Sequence, residues 1–180
     1  MLIREIYLVL LGDSLIQKKK KKNKKKLSIQ MHPEANTIQN LAIPAFTKIA
    51  VALDYTANDE RLLAYAIGQG KENSTYLLLH IVESASAKLL GKDSDDFETV
   101  KDKEQMELYV RQLKERGYTA EGKIGFRNRV KEIARIVNEN NADMLVIGAH
   151  GHTGLKDLIY GETVKAVRHE LKIPVLVVNL

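Results

Sequence analysis

Lys48–Val82 reads KIAVALDYTANDERLLAYAIGQGKENSTYLLLHIV. It opens on a short apolar run with β-branched residues, KIAVALD (Lys48–Asp54), and closes on another, YLLLHIV (Tyr76–Val82). Runs this short, apolar at successive positions, read as strands buried on both faces, as in a parallel sheet. Between them Leu62, Leu63, Ala66 and Ile67 give a helix one apolar face. Thr56 or Asn58 is placed to cap that helix, with Asp59 and Glu60 in its first turn. Gly68 and Gly70 mark its end. The stretch is therefore a strand–helix–strand unit.

The pattern repeats outward from this unit. Residues 84–95 read as an irregular, mobile connection. From about Asp96 to Arg116 a long charged helix carries Met106, Tyr109, Val110 and Leu113 at helical spacing, and Gly117 stops it. Thr119–Phe126 (TAEGKIGF) is a third, weaker strand, and Val130, Ile133, Ala134 and Val137 mark the next helix. Asp143–Gly148 (DMLVIG) is a fourth strand. A last helix carries Val164, Val167 and Leu171, and Pro174 opens a last strand, PVLVVNL. Strands alternating with amphipathic helices imply an α/β fold: a parallel sheet with helices on both faces and right-handed crossovers.

Composition narrows the chemistry. The chain has 180 residues, one domain with a surplus. It has no cysteine, which excludes disulfides, thiolate metal sites and cysteine catalysis and fits a reducing compartment; a cytoplasmic location is expected. With no Trp and three Phe, stacking on nucleic-acid bases is not its main business, and no specific nucleic-acid partner is expected. Residues 1–46 carry Arg4 and eight lysines against Glu5, Asp13 and Glu34, a net +6, so residues 47–180 hold −1 of the chain's +5. The domain at 47–180 is thus nearly neutral. Any attraction to lipid or polyanions lies in Lys18–Lys26, KKKKKNKKK, which reads as a disordered linker.

Before the lysines stands MLIREIYLVLLGDSLI, 16 residues containing Arg4, Glu5 and Asp13. A membrane-spanning helix needs roughly 20 mostly apolar residues, and a secretory signal carries its charge before the apolar stretch and a small-residue cleavage site after it. Two readings stay open. One is a short apolar start with a solvated basic linker. The other is the stump of a transmembrane helix followed by cytoplasmic lysines, with membrane association confined to residues 1–26. Residues 27–46 read as a connector with Pro33 and Pro44.

In an open parallel sheet, ligands bind beyond the carboxyl ends of the strands, where the strand order switches. There the sequence places Gly148–Thr163, GAHGHTGLKDLIYGET. Glycines let backbone approach a phosphate, and a helix N-terminus offers N–H groups to it. Gly148 ends the fourth strand, Gly151 and Gly154 lie in the loop, and Gly161 falls at the start of the last helix. Tight turns without a ligand would use glycines equally well.

The segment resembles the signature of the universal stress protein family: Gly, two residues, Gly, nine residues, Gly, then Ser or Thr. Gly148, Gly151 and Gly161 stand at that spacing. KIAVALD resembles the family's first strand with its terminal Asp, LLLHIVE its second and PVLVVNL its last, so the resemblance covers residues 47–180. It implies a five-stranded parallel open sheet, Rossmann-like and of the adenine nucleotide alpha hydrolase type, which binds ATP in the nucleotide-binding members. ATP, alone or with magnesium or manganese, is the cofactor it implies. Asp54 and Ile81 would face adenine, beside Ala52 and Leu53. Gly148, Gly151 and Gly161 would approach ribose and phosphates through backbone, with His150, Glu162 and Thr163 in the same segment. The resemblance also implies a homodimer through the C-terminal strand. Fusions of this domain to Nramp-type manganese/iron transporters exist, and the lysine-rich lead here looks similar.

The chain departs from the family pattern at Glu162, where the nucleotide binders have Ser or Thr. A hydroxyl donates to a phosphate oxygen, whereas a carboxylate only accepts and repels. Two unit charges at about 4 Å cost about 4 kcal/mol at an effective dielectric of 20. Binding survives if Glu162 turns to solvent, if a divalent ion bridges it, or if Thr163 supplies the hydroxyl. Glu162 as a first-turn helix residue that contacts no ligand is the plain alternative.

Other candidates carry less. His150 and His152 flank Gly151 but lack a third ligand nearby in sequence, so no metal site is expected. His80, inside an apolar strand, reads as a hydrogen-bonded core histidine. Arg127 and Arg129 follow the third strand, where they could reach phosphates or stay solvated. The HGHT tetrapeptide is similar to the His-Gly-His motif of nucleotidylyl transferases, but theirs follows the first strand and this one the fourth. With no residue placed as a base or arginine finger, a nucleotide-binding regulatory module is favoured over a weak ATPase.

Overall fold

The computed structural model describes residues 40–149 and 157–180, within which Pro44–Leu180 form a compact unit. The apolar start, the lysine run, and His150, Gly151, His152 and Gly154 lie outside the described residues. Five strands form the sheet: β1 (Phe46–Ala52), β2 (Gly70–Val82), β3 (Thr119–Phe126), β4 (Met144–Ala149) and β5 (Val175–Asn179). Their order is β3-β2-β1-β4-β5, and every pairing is parallel. Helices α1 (Asp59–Gln69), α2 (Ala85–Leu90), α3 (Phe97–Glu115), α4 (Arg129–Glu139) and α5 (Asp157–Glu170) connect them. The open five-stranded parallel sheet expected from the sequence is the one observed. Among the described residues no helix is long and apolar enough to cross a membrane.

Residue alternation sorts the core into two layers. Ile49, Val51, Leu53, Tyr76, Leu78, Met144 and Val146 point to one face, where Leu62 and Ala66 of α1 and Met106 and Leu113 of α3 meet them. Ala50, Leu77, Leu79, Ile81, Leu145 and Ile147 point to the other, against Ile133 and Val137 of α4 and Val167 of α5. This is why the central strands read as unbroken apolar runs rather than as alternating ones.

Local chemistry ends the elements. Gly117, at φ 87°, closes α3: Tyr118 N–H donates to Leu113 O at 3.0 Å and Gly117 N–H to Lys114 O at 2.9 Å, the paired bonds of a Schellman motif. Asp96 caps the other end of α3, accepting from Thr99 N–H at 3.1 Å. Its carboxylate also receives the Ser94 hydroxyl, Thr99 Oγ1 at 2.8 Å and Ser84 Oγ at 3.1 Å. Hydrogen bonds from Ser94 and Thr99 above all hold it below the usual carboxylate range.

Several expectations are corrected. Residues 84–95 are not irregular throughout: Ser84 caps the short helix α2, and a 3₁₀ turn at Gly91–Asp93 follows. The hydroxyl network around Asp96 supplies partners that periodicity does not reveal. Strand β2 starts at Gly70, six residues before the apolar run, across a register shift between Phe46 and Lys48. Ser74 fills the gap, donating to Phe46 O at 2.7 Å and accepting from Lys71 N–H at 2.8 Å. Gly68 lies inside α1 and Gly70 ends it. Neither Thr56 nor Asn58 caps α1 by its side chain as expected: Asn58 makes no such bond, and Thr56 Oγ1 donates instead to Asp54 Oδ1 at 2.8 Å.

Asp143 fastens the start of β1 to β4. It accepts from Thr47 N–H and Thr47 Oγ1, each at 2.7 Å, and from Lys48 N–H at 3.1 Å. Burial pushes its carboxyl up, but these bonds outweigh burial and hold it below its ordinary value. A carboxyl with a depressed folded-state pKa stabilises above its unfolded pKa and loses that contribution as pH falls. Asp143→Ala is expected to cost about 1–2 kcal/mol near neutrality. By urea denaturation, the gap to wild type should close as pH drops below about 4; a gap that persists in acid would show that these bonds do not carry the effect.

Candidate functional site

The strand order switches between β1 and β4, and the helices that follow them, α1 and α5, pack on opposite faces of the sheet. A cavity of about 300 Å³ opens there, at the carboxyl ends of the strands. Ala52, Leu53 and Asp54 reach it from the end of β1, Ile81 and Glu83 from β2, Gly148 from β4 and Thr163 from α5. Leu79, Ile133, Ile147, Val164 and Leu180 supply apolar wall, while Thr56, Glu98 and Arg129 add polar groups. The size and the mixture suit a small ligand with one apolar face and a few fixed polar contacts.

Of the residues singled out in the sequence, Ala52, Leu53, Asp54, Ile81, Gly148 and Thr163 come together in this lining. Glu162 is exposed to solvent and does not line it, whereas Thr163, the next residue, does. Gly161 is not at a helix start. Helix α5 begins at Asp157, so Gly161 is in its second turn. Asp-Leu-Ile-Tyr contains no helix breaker, and a helix can extend back through it. Glu162 is accordingly not a first-turn residue. His150 and Gly151 lie outside the described residues.

Gly148 leaves room for the Leu180 side chain. A Cβ built there would stand 2.5 Å from Leu180 Cδ1, and Leu180 N–H donates to Ala149 O at 3.0 Å. The close approach is between β4 and the chain's last residue, and it forms part of the cavity wall.

The turn after β1 is held from behind. Leu53 N–H donates to Leu79 O at 2.8 Å, and His80 Nδ1 donates to Leu53 O at 2.9 Å. His80 Nε2 faces Asp102 Oδ2 of α3 at 3.2 Å, which makes it the hydrogen-bonded histidine its strand position suggests. Tyr55 stacks on the His80 ring with centroids 4.0 Å apart, and its hydroxyl donates to Asp102 O at 2.9 Å. Tyr55 sits at φ 57°, a left-handed conformation uncommon outside glycine. Burial, and then the Asp102 charge, push its phenol well above the ordinary range.

At the mouth, Arg129 bonds Glu83 Oε1 through Nη2 at 2.5 Å and Nε at 2.9 Å. Arg127, by contrast, is not part of the lining. Glu83, Glu98, Thr56 and Leu180 escaped the sequence reading. Glu83 carries a usable signal, since it follows strand 2 at its ligand end; Glu98 does not, because it arrives on a distant helix. Among the described residues no group of three or more acids and histidines is arranged to hold a metal.

Together these features define a doubly wound α/β protein with a ligand-sized pocket at its switch point. The Universal stress protein family model matches residues 45–179, and the chain belongs to that family. It is 28% identical to Universal stress protein Slr1230 of Synechocystis sp. over 130 residues, 72% of this chain and 42% of that one, so it spans less than half the relative's length. It is 28% identical over 122 residues to Universal stress protein MJ0577 of Methanocaldococcus jannaschii, 57% of this chain and 75% of the relative. The solved MJ0577 structure superposes with a TM-score of 0.61 at 24% identity, covering 76% of this chain and 98% of that one. A universal stress protein from Archaeoglobus fulgidus in complex with dAMP superposes at 0.55 and 20% identity, covering 74% and 98%.

The Gly148–Leu180 contact makes a separable prediction. Gly148→Ala is expected to destabilise the fold by about 1 kcal/mol, the low end for overpacking, because the atom it meets is the tip of a flexible, part-exposed side chain. Leu180→Ala in the same chain should remove most of that penalty in a double-mutant cycle by urea denaturation. Strictly additive losses would mean that Leu180 is not what Gly148 accommodates.

Proposed function

We propose that residues 47–180 are a regulatory domain that binds an adenine nucleotide, ATP first, in the switch-point cavity. The observation that carries this reading is the convergence of Asp54, Ile81, Gly148 and Thr163 on one cavity, from four separate elements. Asp54 offers an acceptor to an exocyclic amine, the leucines and isoleucines offer an apolar face to a purine, and Thr163 offers a hydroxyl to a phosphate. Glu162 points away to solvent, so its charge does not stand in the cavity. The Archaeoglobus relative binds dAMP, which supports the ligand class. The family's loop residues His150 and Gly151 complete the site in this reading, and binding rather than hydrolysis is its task. The domain works in the cytoplasm as a homodimer paired through β5, whose Val177 is exposed on the sheet edge.

A second reading is a regulatory and dimerising domain without a nucleotide, such as the cytoplasmic tail of a metal-ion transporter. The acids at the mouth favour it: Glu83 already engages Arg129, and Glu98 stands beside the cavity.

Isothermal titration of ATP, with and without magnesium or manganese, tests both readings on wild type, Glu162→Ser and Thr163→Ala. Wild type and Glu162→Ser should bind alike. Thr163→Ala should bind about tenfold more weakly or worse, the loss of a hydrogen bond to a charged group worth about 1.5–3 kcal/mol. Binding gained only in Glu162→Ser would favour the second reading, and no binding in any variant would remove the first.

A further inference from the structure

Behind Asp54 lies a carboxyl that solvent does not reach. Asp59, the first residue of α1, is 1% exposed. Its Oδ1 accepts the Asp54 N–H at 3.4 Å, and its Oδ2 is buried without a hydrogen-bond partner. An ionised oxygen so placed is costly, and a proton is the direct relief.

The groups around it supply no positive charge, although the Tyr109 hydroxyl and the Tyr55 backbone engage the Asp59 carboxyl. Asp54 faces it from the same turn, as does Tyr55. Tyr109 faces it from α3, where Asp102 acts on Tyr55 beside it. From β2, His80 stacks on Tyr55 and pairs with Asp102 at 3.2 Å. Burial first, with the Asp59 charge contributing, pushes both phenols up, so neither tyrosine supplies a charge near neutrality. Burial, and then the charge of Asp54, push Asp59 itself up to about 7.

We propose that Asp59 is a proton-controlled switch whose charge state sets where the Asp54 carboxylate stands at the pocket. The inference rests on reading that pocket as the nucleotide site. With Asp59 protonated, the two carboxyls share one negative charge and the turn stays closed, Thr56 Oγ1 on Asp54 Oδ1 at 2.8 Å. When Asp59 ionises, a second negative charge appears beside Asp54 in a dry environment, and the two carboxylates separate. Tyr55, between them in sequence and held at φ 57°, is where the turn can give, because leaving the left-handed region relieves strain. Asp54 then no longer meets the ligand where the cavity needs it.

Carbon-13 NMR of the Asp59 carboxyl in the full chain, without ligand, reads the switch directly. It should titrate near pH 7, and the amides of Asp54 and Tyr55 should shift with the same midpoint. They should stay still in Asp59→Asn, which keeps the acceptor and mimics the protonated acid. An acid whose folded pKa is raised stabilises fully below its unfolded pKa and loses this as pH climbs to the folded value. Stability in urea should therefore fall between about pH 4 and pH 7 in wild type relative to the variant. ATP affinity should weaken about tenfold from pH 6 to pH 8.5 in wild type relative to Asp59→Asn, which cancels titration of the phosphates themselves. An Asp59 that titrates near 4 overturns the proposal, as does a titration near 7 that leaves Asp54 and Tyr55 unmoved. The same pH dependence of ATP binding in both proteins overturns its coupling to the ligand. If wild type binds no ATP at either pH, the nucleotide reading fails, and the carboxyl and amide titrations still decide the switch. Should the variant not fold, the wild-type titration alone decides it.

Discussion

β1 pairs with β2 on one side and with β4 on the other, and the geometry of the domain follows from that double pairing. Ile49 meets Met144 and Val51 meets Val146 across the β1–β4 seam, while Asp143 ties the seam at its amino end. Being central, β1 must be apolar on both faces, so its polar chemistry is displaced to the residues just past its carboxyl end. Asp54, Tyr55 and Thr56 stand there. Because α1 after β1 and α5 after β4 pack on opposite faces of the sheet, no helix among the described residues covers the seam's carboxyl end, and the cavity opens where these residues emerge.

The cavity balances two demands. Its wall continues the two core layers, through Leu53 and Leu62 on one face and Ile81, Ile133 and Ile147 on the other. Its rim is charged, with Glu83 and Arg129 bonded to each other and Asp54 held by Thr56. The acids are thus partly engaged before any ligand arrives, which limits their repulsion of an anion. The contrast between exposed Glu162 and pocket-lining Thr163 matters for the same reason. On a helix, adjacent residues point about 100° apart, so one position decides between a repelling carboxylate and a donating hydroxyl.

Much of this was legible in the sequence because it depends on periodicity. The five strands and the two helical faces follow from apolar spacing, and Gly117 marks a helix end whose Schellman bonds are present. The rule that parallel sheets bind ligands at their carboxyl edge points to the segment from Gly148 to Thr163, whereas Ala52, Leu53, Asp54 and Ile81 are expected from the resemblance to universal stress proteins. What stayed hidden depends on contacts between residues far apart in the chain. Ser74 completes the irregular start of β2 by bonding Phe46, and Asp96 gathers hydroxyls from Ser84, Ser94 and Thr99. Glu98 enters the site from α3 and Leu180 from the last residue, and neither position shows a pattern of its own. Asp59 reads as an ordinary acidic first-turn residue; its burial comes from the packing of Tyr55 and α3 around it.

The central claim is that an adenine nucleotide occupies the end of the β1–β4 seam. A map of backbone amide shifts in the full chain as ATP is added tests it most directly. The account predicts that Leu53, Asp54, Ile81, Gly148 and Thr163 shift together and saturate at one concentration, while the amino-end residues Thr47, Thr119 and Asp143 hold still. Shifts concentrated elsewhere on the domain, or spread without saturation, would contradict it.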